Sequence, residues 1–179
     1  MNTQIENTPD VFNIFISGSN NTEISTIIET VCNTSTPINA EEPFDDSDPT
    51  EQDTAPSLLT LDENISFNIY TTSEQELSEG SDEANTGIYD GLIILLNGAN
   101  DSALDVLENH VTEHQELIDS RPFIIGVTQL PTAIVGGINH FRQMLEQLKI
   151  RAPLYEIDVT SERDILLLFR TFLACETLP

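Results

Sequence analysis

The segment Gly91–Leu96 reads GLIILL, an apolar run with neither a polar break nor an alternation. It falls far short of the roughly 20 residues that cross a bilayer. It is also too uniform for a strand with one wet face. Such a run fits a central parallel strand covered on both faces, and parallel neighbours require crossover connections that are usually helical. Phe123–Thr128 (FIIGVT) reads the same way, and Val11–Ser17 (VFNIFIS) reads as a third buried strand.

The crossovers are visible as periodicity. Ile24, Ile27, Ile28 and Val31 recur on one face of a helix over Glu23–Val31. Ala103–Ile118, Ile138–Ile150 and Glu162–Ala174 supply further helices. Leu58–Leu61 and Ile65–Tyr70 flank Asp62-Glu63-Asn64 in hairpin fashion, and Leu154–Val159 reads as a last strand. The order predicts an α/β fold. Its expected form is a doubly wound, mostly parallel sheet of about six strands, with Leu58–Leu61 antiparallel at one edge and helices on both faces. Residues 1–10 are expected to be a flexible N-terminus, and 11–175 a single domain interrupted by a mobile acidic loop at 33–57.

Charge narrows the range of partners. The chain of 179 residues carries a formal charge of −25, and all six basic residues lie after position 120. Residues 1–120 hold 25 of the 31 acidic residues with no Lys or Arg. Such a surface repels nucleic acid and anionic lipid and attracts a basic one. With no signal peptide or membrane helix in the reading, the expected setting is cytoplasmic. Cys32 and Cys175 are far apart and are read as buried structural thiols.

Five local segments carry more than fold information. They are Phe12–Gly18 followed by Ser25-Thr26; Ile69–Glu76 (IYTTSEQE); Tyr89–Leu96; Pro122–Thr128; and Val159-Thr160-Ser161. Taken in order, they resemble the Ras-like small GTPases, nearest the bacterial ATP/GTP-binding branch related to gliding-motility and cell-polarity GTPases. The resemblance implies a phosphate loop after the first strand, a switch at Ile69–Glu76 and a base-binding loop at Val159–Ser161. A phosphate loop needs glycines for backbone wrapping, a Lys for charge and a hydroxyl for Mg²⁺. Gly18, Ser25 and the neighbouring Thr26 remain here, while Glu23 stands in place of the second glycine and Ile24 in place of the Lys. Glu74 replaces the switch glycine, Gln75 keeps the water-orienting position, and Pro131, following Thr128, replaces the base-reading Asp. The expectation is a degenerate pocket in a pseudo-GTPase with no catalysis, cofactor or metal.

The resemblance further implies a protein partner of roadblock or longin type, in motility, pili or polarity. The acidic residues Glu41, Glu42, Asp45, Asp46 and Asp48, with Glu74, Glu76 and Glu79, fall where the two switches would meet it. Two alternatives stand beside this reading. One is a residual nucleotide binder built around Ser25 and Thr26. The other is a pseudo-receiver domain using Asp90, Asn97 and Thr128 near strand ends. His110-Val111-Thr112-Glu113-His114 matches H-x-x-E-H, but Glu108 and Glu116 flank it, and it reads as a solvated helix face.

Overall fold

The computed structural model describes residues 10–18, 20–32, 56–71, 88–131 and 137–177. The strands are β1 (Asp10–Gly18), β2 (Ser57–Asp62), β3 (Ile65–Thr71), β4 (Gly91–Asn97), β5 (Phe123–Thr128) and β6 (Leu154–Glu156). The helices are α1 (Asn21–Cys32), α2 (Ala103–Glu113), α3 (Gln115–Ser120), α4 (Asn139–Gln147) and α5 (Glu162–Glu176). The strands form one sheet in the order β2-β3-β1-β4-β5-β6. Among the described residues, only β2 and β3 pair antiparallel, which puts the expected antiparallel strand at the sheet edge.

The pleat explains why GLIILL has no polar position. Ile93 and Leu95 pack with Ile14, Ile16, Ile24, Ile27, Phe169 and Phe172 in one layer. Leu92, Ile94 and Leu96 pack with Phe15, Leu107, Val111, Ile125 and Phe141 in the other. Both faces of β4 are therefore dry, and each fully buried Leu or Ile contributes roughly 1.5–3 kcal/mol. A Cβ on Gly91 would lie 2.4 Å from the Phe172 ring, so this strand opens on the residue that lets α5 come close.

Three boundaries differ from the periodicity. The helix expected over Ala103–Ile118 breaks at His114, whose ring meets the Phe15 ring edge-on at 5.4 Å between centroids. The helix expected over Ile138–Ile150 is shorter, because Lys149 adopts φ +58° and closes the turn after α4. The last strand stops at Glu156. Ile157 still donates to the Val127 carbonyl at 2.9 Å, after which the chain turns through Asp158–Ser161. Cys175 is half-buried rather than fully buried. Among the described residues, no helix is long and apolar enough to cross a membrane.

Candidate functional site at the carboxyl edge of the sheet

Parallel strands β1, β4 and β5 all end at one edge of the sheet, and α1 starts there. In open α/β sheets this edge is where ligands bind. Asn20 opens α1: its side-chain oxygen accepts from the Thr22 amide at 3.0 Å, and its carbonyl accepts from the Glu23 and Ile24 amides. Glu23 thus lies in the first turn, where a carboxylate interacts favourably with the helix dipole.

Glu23 is only 5% exposed. Its Oε1 accepts from the Thr128 hydroxyl at 2.8 Å and the Gln129 side-chain amide at 2.8 Å, with the Asn97 amide further off at 3.4 Å. These donors come from the ends of β4 and β5, across more than 70 residues of sequence. A buried carboxylate needs such partners to offset its lost hydration. Gln129 takes φ +50° as it leaves β5 and delivers its side chain to this bond.

Most of the residues aligned with a phosphate loop are engaged in packing or in hydrogen bonds within the fold. A Cβ on Gly18 would fall 2.9 Å from the Leu95 carbonyl, so close packing of β1 on β4 calls for glycine. Ile24 is 4% exposed and belongs to the core. Ser25 is exposed, and the Thr26 hydroxyl donates back to the Thr22 carbonyl at 2.8 Å. Thr128 is buried and serves Glu23, while Pro131 is partly buried at the end of the segment after β5. Glu74 and Gln75 lie outside the described residues, as do Glu41, Glu42, Asp45, Asp46, Asp48, Glu76 and Glu79. The expected N-terminal tail and the 33–55 part of the acidic loop also lie outside them.

Beside the Glu23 cluster opens a cleft of about 530 Å³, lined by Thr128, Gln129, Leu130, Glu156, Ile157, Asp158, Val159 and Asp164. Three of these are carboxylates. The Thr160 hydroxyl and amide both donate to Asp158, at 2.7 and 2.8 Å, and hold its carboxyl below the usual range. The loop Val159–Ser161 is therefore folded around its own acid, and the Ser161 hydroxyl caps α5 by accepting from the Asp164 amide. Gln129 and the acidic lining are site residues that the sequence reading did not single out, and only their position beside the expected loops could have signalled them.

Two other expectations change. Asp90 does not join Asn97 and Thr128. It sits at the opposite end of β4, where its carboxylate accepts from the Asn13 amide at 2.8 Å. The face of α2 bearing His110 and His114 is not solvated: both rings reach the buried Ser17 hydroxyl at 3.1 Å. Burial pushes the His110 pKa below its ordinary value, more than Glu113 raises it, while His114 lowers it further. No protein-family model matches the chain, and a search of curated proteins finds no significant similarity.

Proposed function

We propose that the chain is a non-catalytic interaction module with a small-GTPase-like fold whose nucleotide pocket is degenerate. The observation that carries this reading is the Glu23 carboxylate, seated at the first turn of α1 and engaged by donors from β4 and β5. A triphosphate approaching that turn meets a fixed negative charge instead of a Lys and a glycine-lined loop. Beyond it, a guanine base would enter a cleft lined by Glu156, Asp158 and Asp164. The antiparallel edge strand β2 favours this reading over a receiver-like sheet, which is wholly parallel, and the displaced Asp90 weighs on the same side.

Function then falls to the surface. The charge of −25, concentrated in residues 1–120, supports a protein partner with a basic face, of roadblock or longin type by the resemblance, and disfavours nucleic acid. A bacterial cytoplasmic setting belongs to the same proposal. The test is a thermal-shift titration with GTP, GDP and ATP in the presence of Mg²⁺. Ligand at 100 times its Kd adds about 2.7 kcal/mol. In a domain of this size that raises Tm by about 5–10 °C. The expected result is no shift with any of the three. A saturable shift at micromolar nucleotide overturns the reading in favour of a residual nucleotide binder.

A further inference from the structure

The inner face of α2 collects a group of side chains that the degenerate pocket does not use. His110, Glu113 and His114 present ligand atoms that all lie within 4.8 Å of one another. His110 Nδ1 is 3.8 Å from Glu113 Oε2, and Ser17 Oγ is 3.1 Å from both His110 Nδ1 and His114 Nε2. Three potential ligand atoms from α2 and its junction with α3 therefore lie together, and Ser17 Oγ at the end of β1 bridges the two imidazoles.

We propose that this cluster is a binding site for a divalent transition metal of the zinc class, with His110 Nδ1, His114 Nε2 and a Glu113 carboxylate oxygen as ligands and Ser17 Oγ at the fourth position. Tetrahedral zinc, with bonds of about 2.0–2.2 Å, holds its ligands roughly 3.4 Å apart. The Ser17 contacts already have nearly that spacing. The remaining pairs, at 3.8 Å for His110 and Glu113 and up to 4.8 Å within the cluster, would close as the rings and the 34% exposed Glu113 side chain turn toward a common centre. Two imidazoles and one carboxylate suit zinc, whereas Ca²⁺ and Mg²⁺ prefer all-oxygen sets.

The surroundings pre-organise this set. The His110 and His114 rings are nearly parallel, 10° apart with centroids at 6.0 Å, and His114 is braced edge-on by Phe15. Ser17 is 3% exposed, so its hydroxyl has little access to water and turns to the two rings. That hydroxyl carries one proton: it can donate to one ring while accepting from the other. Ligation asks that the donating ring move its proton to its other nitrogen and that the Ser17 proton turn away from the accepting ring, so that both ring nitrogens and the serine oxygen offer lone pairs to the metal. The bound metal would tie the α2–α3 junction to the end of β1, one residue from Gly18.

The experiment titrates Zn²⁺ into the full chain against a chromogenic chelator, in excess Ca²⁺ to occupy surface carboxylates. Co²⁺ serves as a spectroscopic stand-in. One equivalent of each metal should bind, with Co²⁺ giving the strong visible absorption of a tetrahedral site. Loss of an outer partner of a metal site costs roughly 10–100-fold in affinity, so His110→Gln and His114→Gln should cost at least about 100-fold and abolish the cobalt spectrum. Glu113→Gln, at a half-exposed position that leaves the core intact, should weaken zinc by at least about 10-fold. Circular dichroism checks the fold, and Glu113→Gln decides the matter if the histidine variants misfold. Absence of zinc binding overturns the proposal. So does unchanged affinity in Glu113→Gln, or unchanged affinity in folded histidine variants, which would assign the metal to other acidic residues of the chain.

Discussion

Replacing Glu23 tests whether the carboxylate anchors α1 to the sheet or merely lies beside it. Glu23→Ala removes two hydrogen bonds of 2.8 Å to an ionised acceptor. Bonds to charged groups each contribute about 1.5–3 kcal/mol. Three effects offset that loss. Thr128 retains the Leu96 carbonyl at 3.3 Å, and exposed Gln129 regains water. The variant also no longer buries a charge, which itself costs several kcal/mol. The net expectation is a loss of about 2 kcal/mol, which at ~2–4 °C per kcal/mol lowers Tm by about 4–8 °C. Glu23→Gln keeps the shape and an acceptor oxygen and gives up only the charge, so it should cost about 1 kcal/mol. Urea unfolding followed by circular dichroism reads both values, with an unchanged m-value confirming that the ends of the transition are the same. A Glu23→Ala protein as stable as the parent would refute the anchoring argument, and a more stable one would show that desolvation of the charge dominates.

The remaining predictions concern other parts of the molecule. Ile24→Lys, which restores the residue type of a phosphate loop, places an ammonium in a core position only 4% exposed; it should destabilise by more than about 3 kcal/mol and confer no nucleotide binding, as read by urea unfolding and calorimetry. The lowered pKa of His110 means that the fold favours its neutral form. Its contribution is therefore intact above the unfolded value of 6.5 and declines as pH falls from there through the folded value, so in chelator the stability gap between parent and His110→Gln should change over that window and be flat at higher pH. Changing the acidic residues of Glu41–Asp53 or Glu74–Glu83 to Asn and Gln should slow association with a captured basic partner and flatten its salt dependence in surface plasmon resonance, with Tm preserved; an on-rate that ignores salt in the parent would leave these charges with a solubilising role alone.

Strands that are dry on both faces announce themselves, and so β4 and β5 were legible: nothing but apolar side chains can occupy Leu92–Leu96 when both layers of the core press on it. The edge hairpin was legible for a different reason, since Asp62-Glu63-Asn64 supplies turn chemistry between two short runs rich in apolar residues, and the Asp62 side chain does accept from the Asn64 amide at 2.8 Å. Helix ends were less so. Periodicity in Ala103–Ile118 continues across His114 because Leu117 resumes the same buried side, so the change of backbone at His114, whose ring docks on Phe15, leaves no trace in the pattern.

The candidate sites divide along the same line. His110 and His114 follow Leu107 and Val111 at helical spacing, so periodicity already placed both rings on the buried side; the flanking Glu108 and Glu116 obscured that by suggesting solvent. What the sequence did not contain was Ser17 as their common partner, because that contact depends on which face of β1 the odd-numbered residues take. The Glu23 cluster follows the same logic at longer range. Glu23 precedes Ile27 and Val31 by one and two helical turns, which predicts that it faces inward at the start of α1, and an inward carboxylate requires donors. Which donors it finds is decided by topology: β1, β4 and β5 run parallel and end together, bringing Asn97, Thr128 and Gln129 to the turn where α1 begins. A local rule could therefore identify a carboxylate in need of partners, and only the strand order could supply them.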